Sequence, residues 1–284
     1  MMASLPVMAR DFNTPDLRAT INEVAIRRSF QRSDRGPLFT PLRCARLNTT
    51  SMPPRGIFIV IEGIDGSGKR TQLEMLAAWF EQKGIAFSPI SFPNYAGFFG
   101  KLVARFLNGE FGTLETVDPH FSALLYASDR LESKPILQAA LSAGKVLLSD
   151  RYVASNLAHQ GARVPPAKRS EFLQWLNQLE YQVNALPPED LVCYLRVPAV
   201  EAQRLIEKKG ERDYTKLSRD LQEADLSHLQ AASAVYDGLA RRQHWVTVEC
   251  IDSVSGSLRS PAAIHQEIVS AIEARIFPAP QARR

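Results

Sequence analysis

Residues 56–71 read Gly56-Ile-Phe-Ile-Val-Ile-Glu-Gly-Ile-Asp-Gly-Ser-Gly-Lys-Arg-Thr71. The run 57–61 is short, continuous and β-rich, as expected of a strand buried on both faces of a parallel sheet. After the turn, residues 72–83 place Leu73, Leu76, Ala77 and Phe80 at helical spacing. Between strand and helix lies the spacing G-x-x-x-x-G-K, the context a phosphate-binding loop requires. Gly63, Ile64, Asp65, Gly66, Ser67 and Gly68 form the cradle. Its glycines let the backbone wrap an anion, so that successive N–H groups and the helix N-terminus face it. Lys69 then reaches the β- and γ-phosphates, which makes this a nucleoside-triphosphate site. Arg70 occupies the position where many such loops place a Ser or Thr that meets Mg²⁺, and adds positive charge where phosphoryl transfer needs it. Thr71, next in the chain, is a candidate for part of the metal-facing role.

Working outward, strands are expected at 86–92, 145–149, 191–197 and 244–250. Helices are expected at 100–107, 119–143, 166–184, 199–207, 221–242 and 261–276. Alternation of this kind argues for βαβ units and a three-layer α/β/α fold on a parallel sheet. Residues 56–284 would form this domain. The segment before it lacks sustained periodicity and reads as a poorly ordered basic extension over 1–55. Residues 1–56 hold nine Arg and no Lys against four acids, a net of +5, whereas the whole 284-residue chain carries +4. The basic balance therefore belongs to the extension, and the body gives no sign of nucleic-acid binding. The extension partly resembles an organellar transit peptide, but its four acids fit one poorly. A cytoplasmic location is the expectation, with organellar targeting the alternative. No stretch approaches the ~20 apolar residues of a membrane span. Three scattered cysteines, Cys44, Cys193 and Cys250, read as ordinary thiols in a reducing compartment.

Three further clusters narrow the class of phosphate-loop protein. The second strand ends in Phe92-Pro-Asn-Tyr95. Leu124-Leu-Tyr-Ala-Ser-Asp-Arg130 puts Tyr126 and Arg130 four residues apart on one helix face. Asp150-Arg-Tyr-Val-Ala-Ser-Asn156 sets a carboxylate and a guanidinium at the C-terminal edge of the sheet, where open α/β sheets bind ligands. No guanine-reading N-K-x-D occurs. Together with the phosphate loop, these motifs resemble the thymidylate kinase family, in its order and roughly its spacing, across about residues 57–276. The D-R-Y-V-A-S-N string is similar to that of mycobacterial-type members.

The resemblance implies a nucleoside monophosphate kinase fold with a five-stranded parallel sheet and a short mobile lid, and the reaction ATP + dTMP → ADP + dTDP. It places Tyr126 against thymine, Arg130 on the thymine O4, Arg151 on the acceptor phosphate and Asn156 along the thymine edge. It also places Tyr95 near that phosphate and Asp65 at the deoxyribose 3′-hydroxyl and the metal. His159 falls where mycobacterial-type members have a Tyr near the sugar, which leaves ribose discrimination open. Mg²⁺ is the implied cofactor, with Asp65, Thr71 and Asp150 as candidate ligands. ATP and dTMP are the implied substrates, and a homodimer the implied assembly. The lid would span 207–220, with Lys208, Lys209, Arg212 and Arg219 as its basic residues and Arg212 chosen as catalytic alongside Lys69, Arg70, Asp65 and Arg151. Two alternatives stay open: a kinase of another nucleoside monophosphate such as dUMP or dCMP, and a non-catalytic nucleotide-binding protein.

Overall fold

The computed structural model describes residues 55–207, 222 and 225–277. The expected extension over 1–55 falls outside these apart from Arg55. So do almost all of the expected lid and its candidates Lys208, Lys209, Arg212 and Arg219. Five parallel strands form one sheet in the order β2-β3-β1-β4-β5. They are β1 (Ile57–Glu62), β2 (Phe87–Ser91), β3 (Val146–Asp150), β4 (Leu191–Arg196) and β5 (Trp245–Glu249). The central strand β1 is buried almost throughout, as its unbroken apolar run requires.

Helices connect the strands: α1 (Lys69–Gln82), α2 (Phe98–Leu107), α3 (Pro119–Ser142), α4 (Val153–Ala162), α5 (Pro166–Asn177), α6 (Ala199–Glu207), α7 (Leu226–Leu239) and α8 (Pro261–Arg275). α1 and α8 pack together, while α4 packs against both α3 and α7. The core runs along both faces of the sheet, and Phe58, Val60, Leu76, Leu148, Leu157 and Val192 are among its fully buried members. A smaller cluster of Val103, Phe106, Leu107, Val117 and Leu125 joins α2 to α3. No helix among the described residues is long and apolar enough to cross a membrane.

Register brings the motifs together. Ile61 pairs with Asp150 across β1 and β3, and Ser91 pairs with the same Asp150 across β2 and β3. The phosphate loop, the Asp150-Arg151 turn and the Phe92–Tyr95 loop therefore leave the sheet side by side at its C-terminal edge.

The structure departs from sequence expectation in three places. α4 has no counterpart in the periodicity, because eight of its residues are buried and no polar face marks it. Its N-terminus also lacks a cap of its own. The carboxylate of Glu62 serves instead, accepting from the backbone N–H of Tyr152 at 2.8 Å and of Ser155 at 3.1 Å. A cap supplied from 90 residues away leaves no local signal. Second, the helix expected over 166–184 changes at Gln178 into a π-helical turn, Gln178–Val183. Third, α7 begins at Leu226, where Asp225 caps it by accepting from the Ser227 N–H.

Candidate active site

The loop between β1 and α1 is shaped by glycine where no side chain fits. Gly66 has φ 82°, and a Cβ there would lie 2.2 Å from the Ala202 carbonyl oxygen of α6. Lys69 is buried at the start of α1, and its Nζ donates to the carbonyls of Gly63 at 3.0 Å and Ile64 at 2.9 Å. Burial, and next the Arg151 charge, lower its pKa to about 8. An ammonium held this way meets an arriving phosphate with little water to remove. Arg70 lines the mouth of the cleft, and its Nε donates to Glu74 at 2.9 Å on the exposed side of α1. Thr71 is exposed on the same helix.

Arg151 sits directly after β3 with φ 64°, a left-handed conformation uncommon for a residue other than glycine. Its guanidinium pairs with Asp65 of the phosphate loop, donates to the Gly63 carbonyl at 3.2 Å and donates to Ser155 Oγ at 2.9 Å. Ser155 Oγ is anchored in turn on Glu62 at 2.7 Å. One buried carboxylate thus both caps α4 and steadies Arg151. Asp150, beside it, has a buried Oδ1 with no hydrogen-bond partner among the described residues.

A cleft of about 1200 Å³ opens over these groups and extends to Tyr95, Tyr126, Arg130, Asn156 and His159. Tyr126 and Tyr95 pack against the α2–α3 cluster. Arg130 is 1% exposed and makes a two-pronged ion pair with Glu180, its Nε donating at 3.1 Å and its Nη2 also engaged. Burial opposes the Arg130 charge, but the attraction and hydrogen bonds of Glu180 outweigh it and raise the pKa. Asn156 Nδ2 donates to Glu180 at 2.9 Å and to the Ala123 carbonyl at 3.0 Å. His159 Nδ1 lies 3.3 Å from His228 Nε2, and its Nε2 lies 3.5 Å from Arg151 Nη1. Burial holds both imidazoles neutral, lowering the His159 pKa well below its usual value and that of His228 to about 4.

The Phe92–Tyr95 loop is fastened to α3. Both oxygens of the buried Asp129 accept from the Asn94 N–H, at 3.2 and 3.1 Å. Burial raises its pKa to about 6. Glu132 accepts from the N–H groups of Phe98 and Phe99, both at 3.1 Å, at the start of α2. An acidic residue at a helix N-terminus is favoured by the dipole.

Of the residues expected from sequence, Asp65, Gly66, Gly68, Lys69, Arg70, Tyr95, Tyr126, Arg130, Asp150, Arg151, Asn156 and His159 all line this cleft. Thr71 does not. Glu62, Asp129, Glu180 and His228 were not anticipated. Glu62 and Glu180 each sit between apolar or aromatic neighbours, a signal that could have marked them; Asp129, between Ser128 and Arg130, carries no such signal. Among the described residues no group of three or more His, Cys, Asp or Glu is arranged to hold a metal ion.

Comparison with known proteins points one way. A family model described as thymidylate kinase matches residues 61–257. A probable thymidylate kinase of Pyrococcus horikoshii is 42% identical over 160 residues, covering 55% of this chain and 72% of that protein. The thymidylate kinase of Mycobacterium tuberculosis strain H37Rv is 33% identical over 190 residues, covering 66% of this chain and 87% of that one. A solved thymidylate kinase structure from Candida albicans superposes with a TM-score of 0.60 at 21% identity, over 78% of this chain and 92% of its own, a likeness of fold.

Proposed function

The chain belongs to the thymidylate kinase family, and from that premise we propose that it transfers the γ-phosphoryl group of ATP to dTMP, giving ADP and dTDP. The observation that carries this reading is the convergence of two cations, Lys69 and Arg151, on one cleft that Tyr126, Arg130 and Asn156 also line.

The phosphate loop receives the triphosphate, and Lys69 leaves the Gly63 and Ile64 carbonyls to pair with it. Arg151 takes the acceptor's 5′-phosphate, for which a guanidinium offers two parallel donors. Asp65, paired with Arg151, faces the sugar. Tyr126 supplies a flat face for the base. The acceptor phosphate is already an anion, so no general base is required. Catalysis reduces to in-line placement and neutralisation of charge. Arg70, at the mouth of the cleft, adds to that charge once its exposed pair with Glu74 is released, which costs about 0–1 kcal/mol. We assign the catalytic lid residue to Arg212, on position in the chain alone.

Magnesium would accompany the nucleotide. A cation held mainly by phosphates and water needs only one or two carboxylates, and Asp150, with its unpartnered Oδ1, and Asp65 fit that need. When bound, it supplies further neutralisation at the phosphates. Thr71, exposed on α1, fits less well.

A homodimer is supported by the apolar side chains that α3 leaves exposed, Phe121, Leu124, Leu131 and Ile136, next to Phe98 of α2. Sedimentation of the full chain as a monomer at micromolar concentration would overturn it. Two buried free thiols, Cys193 and Cys250, suit the proposed cytoplasmic location.

The test is ADP release by the full chain with ATP–Mg²⁺ and each of dTMP, dUMP, dCMP, dGMP and AMP. Turnover confined mainly to dTMP is expected. Equal or greater turnover on another acceptor would overturn the assignment.

A further inference from the structure

We infer that Glu180, a residue that touches no substrate, sets which pyrimidine the cleft accepts by fixing the hydrogen-bonding polarity of Arg130 and Asn156. The inference rests on the dTMP reading above and deepens it.

Glu180 sits in the π-helical turn after α5 and is 0% exposed. Its Oε1 accepts from Asn156 Nδ2 at 2.9 Å and also from Arg130 Nη2, while Oε2 accepts from Arg130 Nε at 3.1 Å. Two acceptors, Glu180 Oε1 and the Ala123 carbonyl, meet the same Asn156 nitrogen. A flipped amide would set its oxygen against both, so the nitrogen is assigned by its surroundings. The amide oxygen is then turned away from them, and among the described residues this buried Oδ1 has no hydrogen-bond partner. Arg130 spends two of its five N–H groups on Glu180 and is itself one of the residues that line the cleft.

Arg130 and Asn156 both line the cleft, and behind its wall lie an unspent acceptor, the buried Asn156 Oδ1, and the unspent donors of Arg130. Their complement is a base edge with an N–H donor adjacent to a carbonyl, as in the imide edge of thymine or uracil. Cytosine shows the reverse, a ring-nitrogen acceptor adjacent to an amine donor, and would leave buried groups on both sides unpaired. Glu180 is what makes this polarity permanent before the nucleotide arrives. Without it Asn156 keeps one acceptor of two, and Arg130 loses the partner that orients its plane.

The experiment compares the full-length wild type with Glu180→Gln, measuring kcat and KM separately for dTMP and dCMP. Folding is checked by circular dichroism and ATP binding by calorimetry. Gln retains one acceptor oxygen and the side-chain volume but cannot accept from Arg130 Nε and Nη2 together. The expected result is a fall of about tenfold in the kcat/KM ratio of dTMP over dCMP, the equivalent of one to two hydrogen bonds, carried mainly by KM. Uniform loss on both nucleotides with the ratio preserved would show a purely structural role and overturn the inference. If the wild type itself does not prefer dTMP, the functional reading fails first, separately from the role of Glu180. If Glu180→Gln does not fold, the wild type decides by NMR. Slow solvent exchange of the Arg130 Nε–H without nucleotide supports preorganisation, and ordering of that proton only on adding dTMP overturns it.

Discussion

Asp65 and Arg151 form an ion pair that joins the phosphate loop after β1 to the turn after β3. The pair is built on a left-handed Arg151 backbone, a conformation that costs of order 1–3 kcal/mol in a residue other than glycine. Such strain persists only where the surroundings hold it, and here Glu62, through Ser155, is part of what holds it.

Arg151→Asn should separate fold from function, since Asn tolerates the left-handed region better than most residues. Thermal unfolding is expected within a few degrees of wild type, while kcat/KM for dTMP falls at least about a hundredfold, as for loss of a charge-stabilising donor. Retention of a tenth or more of the wild-type kcat/KM would remove Arg151 from the acceptor-phosphate role.

Lys69 should impose a pH limit on nucleotide binding. With its pKa lowered to about 8 in the free protein, the ammonium is lost as pH rises above that value, and ATP binding must then take up a proton. The KM for ATP is expected to rise by up to tenfold per pH unit above 8. Calorimetry at pH 8.5 in buffers of different ionisation enthalpy should register the proton uptake. The sign for stability is opposite. Between pH 8 and the unfolded value of 10.5 the unfolded chain binds more protons, so the free fold gains stability as pH rises through that window. A pH-independent KM for ATP from 7 to 9.5 would contradict this account.

His228 predicts the acid limb. Its pKa is about 4 when folded and 6.5 when unfolded, so its contribution is fully present above 6.5 and is lost as pH falls towards 4. The loss is about 1.4 kcal/mol per pH unit for one such histidine. Urea unfolding of wild type and His228→Asn at pH 7, 6 and 5 tests the His159–His228 pair, because Asp129 and Glu189, a second carboxylate whose pKa burial raises, to about 7, titrate in both proteins and cancel in the difference. The variant should show the shallower loss, and parallel curves would count against the buried neutral pair.

Gly100 tests the Phe92–Tyr95 loop. A Cβ at this position of α2 would lie 1.8 Å from the Asn94 carbonyl oxygen. Gly100→Ala should therefore push the loop off α2 and raise the KM for dTMP, while the KM for ATP changes less than twofold, since the phosphate loop is untouched. Equal increases in both constants would place the damage elsewhere.

Residues 56–71 were legible because a phosphate cradle is made of consecutive backbone. A buried strand, a glycine turn and a helix N-terminus are each specified by neighbours in the chain, and the alternation beyond them conveyed the parallel sheet. Arg130, Arg151 and Asn156 could be picked out by motif, and they do reach one cleft. Their partners could not. Arg130 has an acidic neighbour in Asp129, yet it turns to Glu180, 50 residues on, while Asp129 binds the Asn94 backbone. His159 meets His228 across 69 residues, and Glu62 caps a helix 90 residues away. Local order follows from the backbone and from periodicity, which act over a few residues. The orientation of a buried charge depends on which acceptor shares its low-dielectric surroundings, and here packing of the sheet and helices alone brings those acceptors within reach.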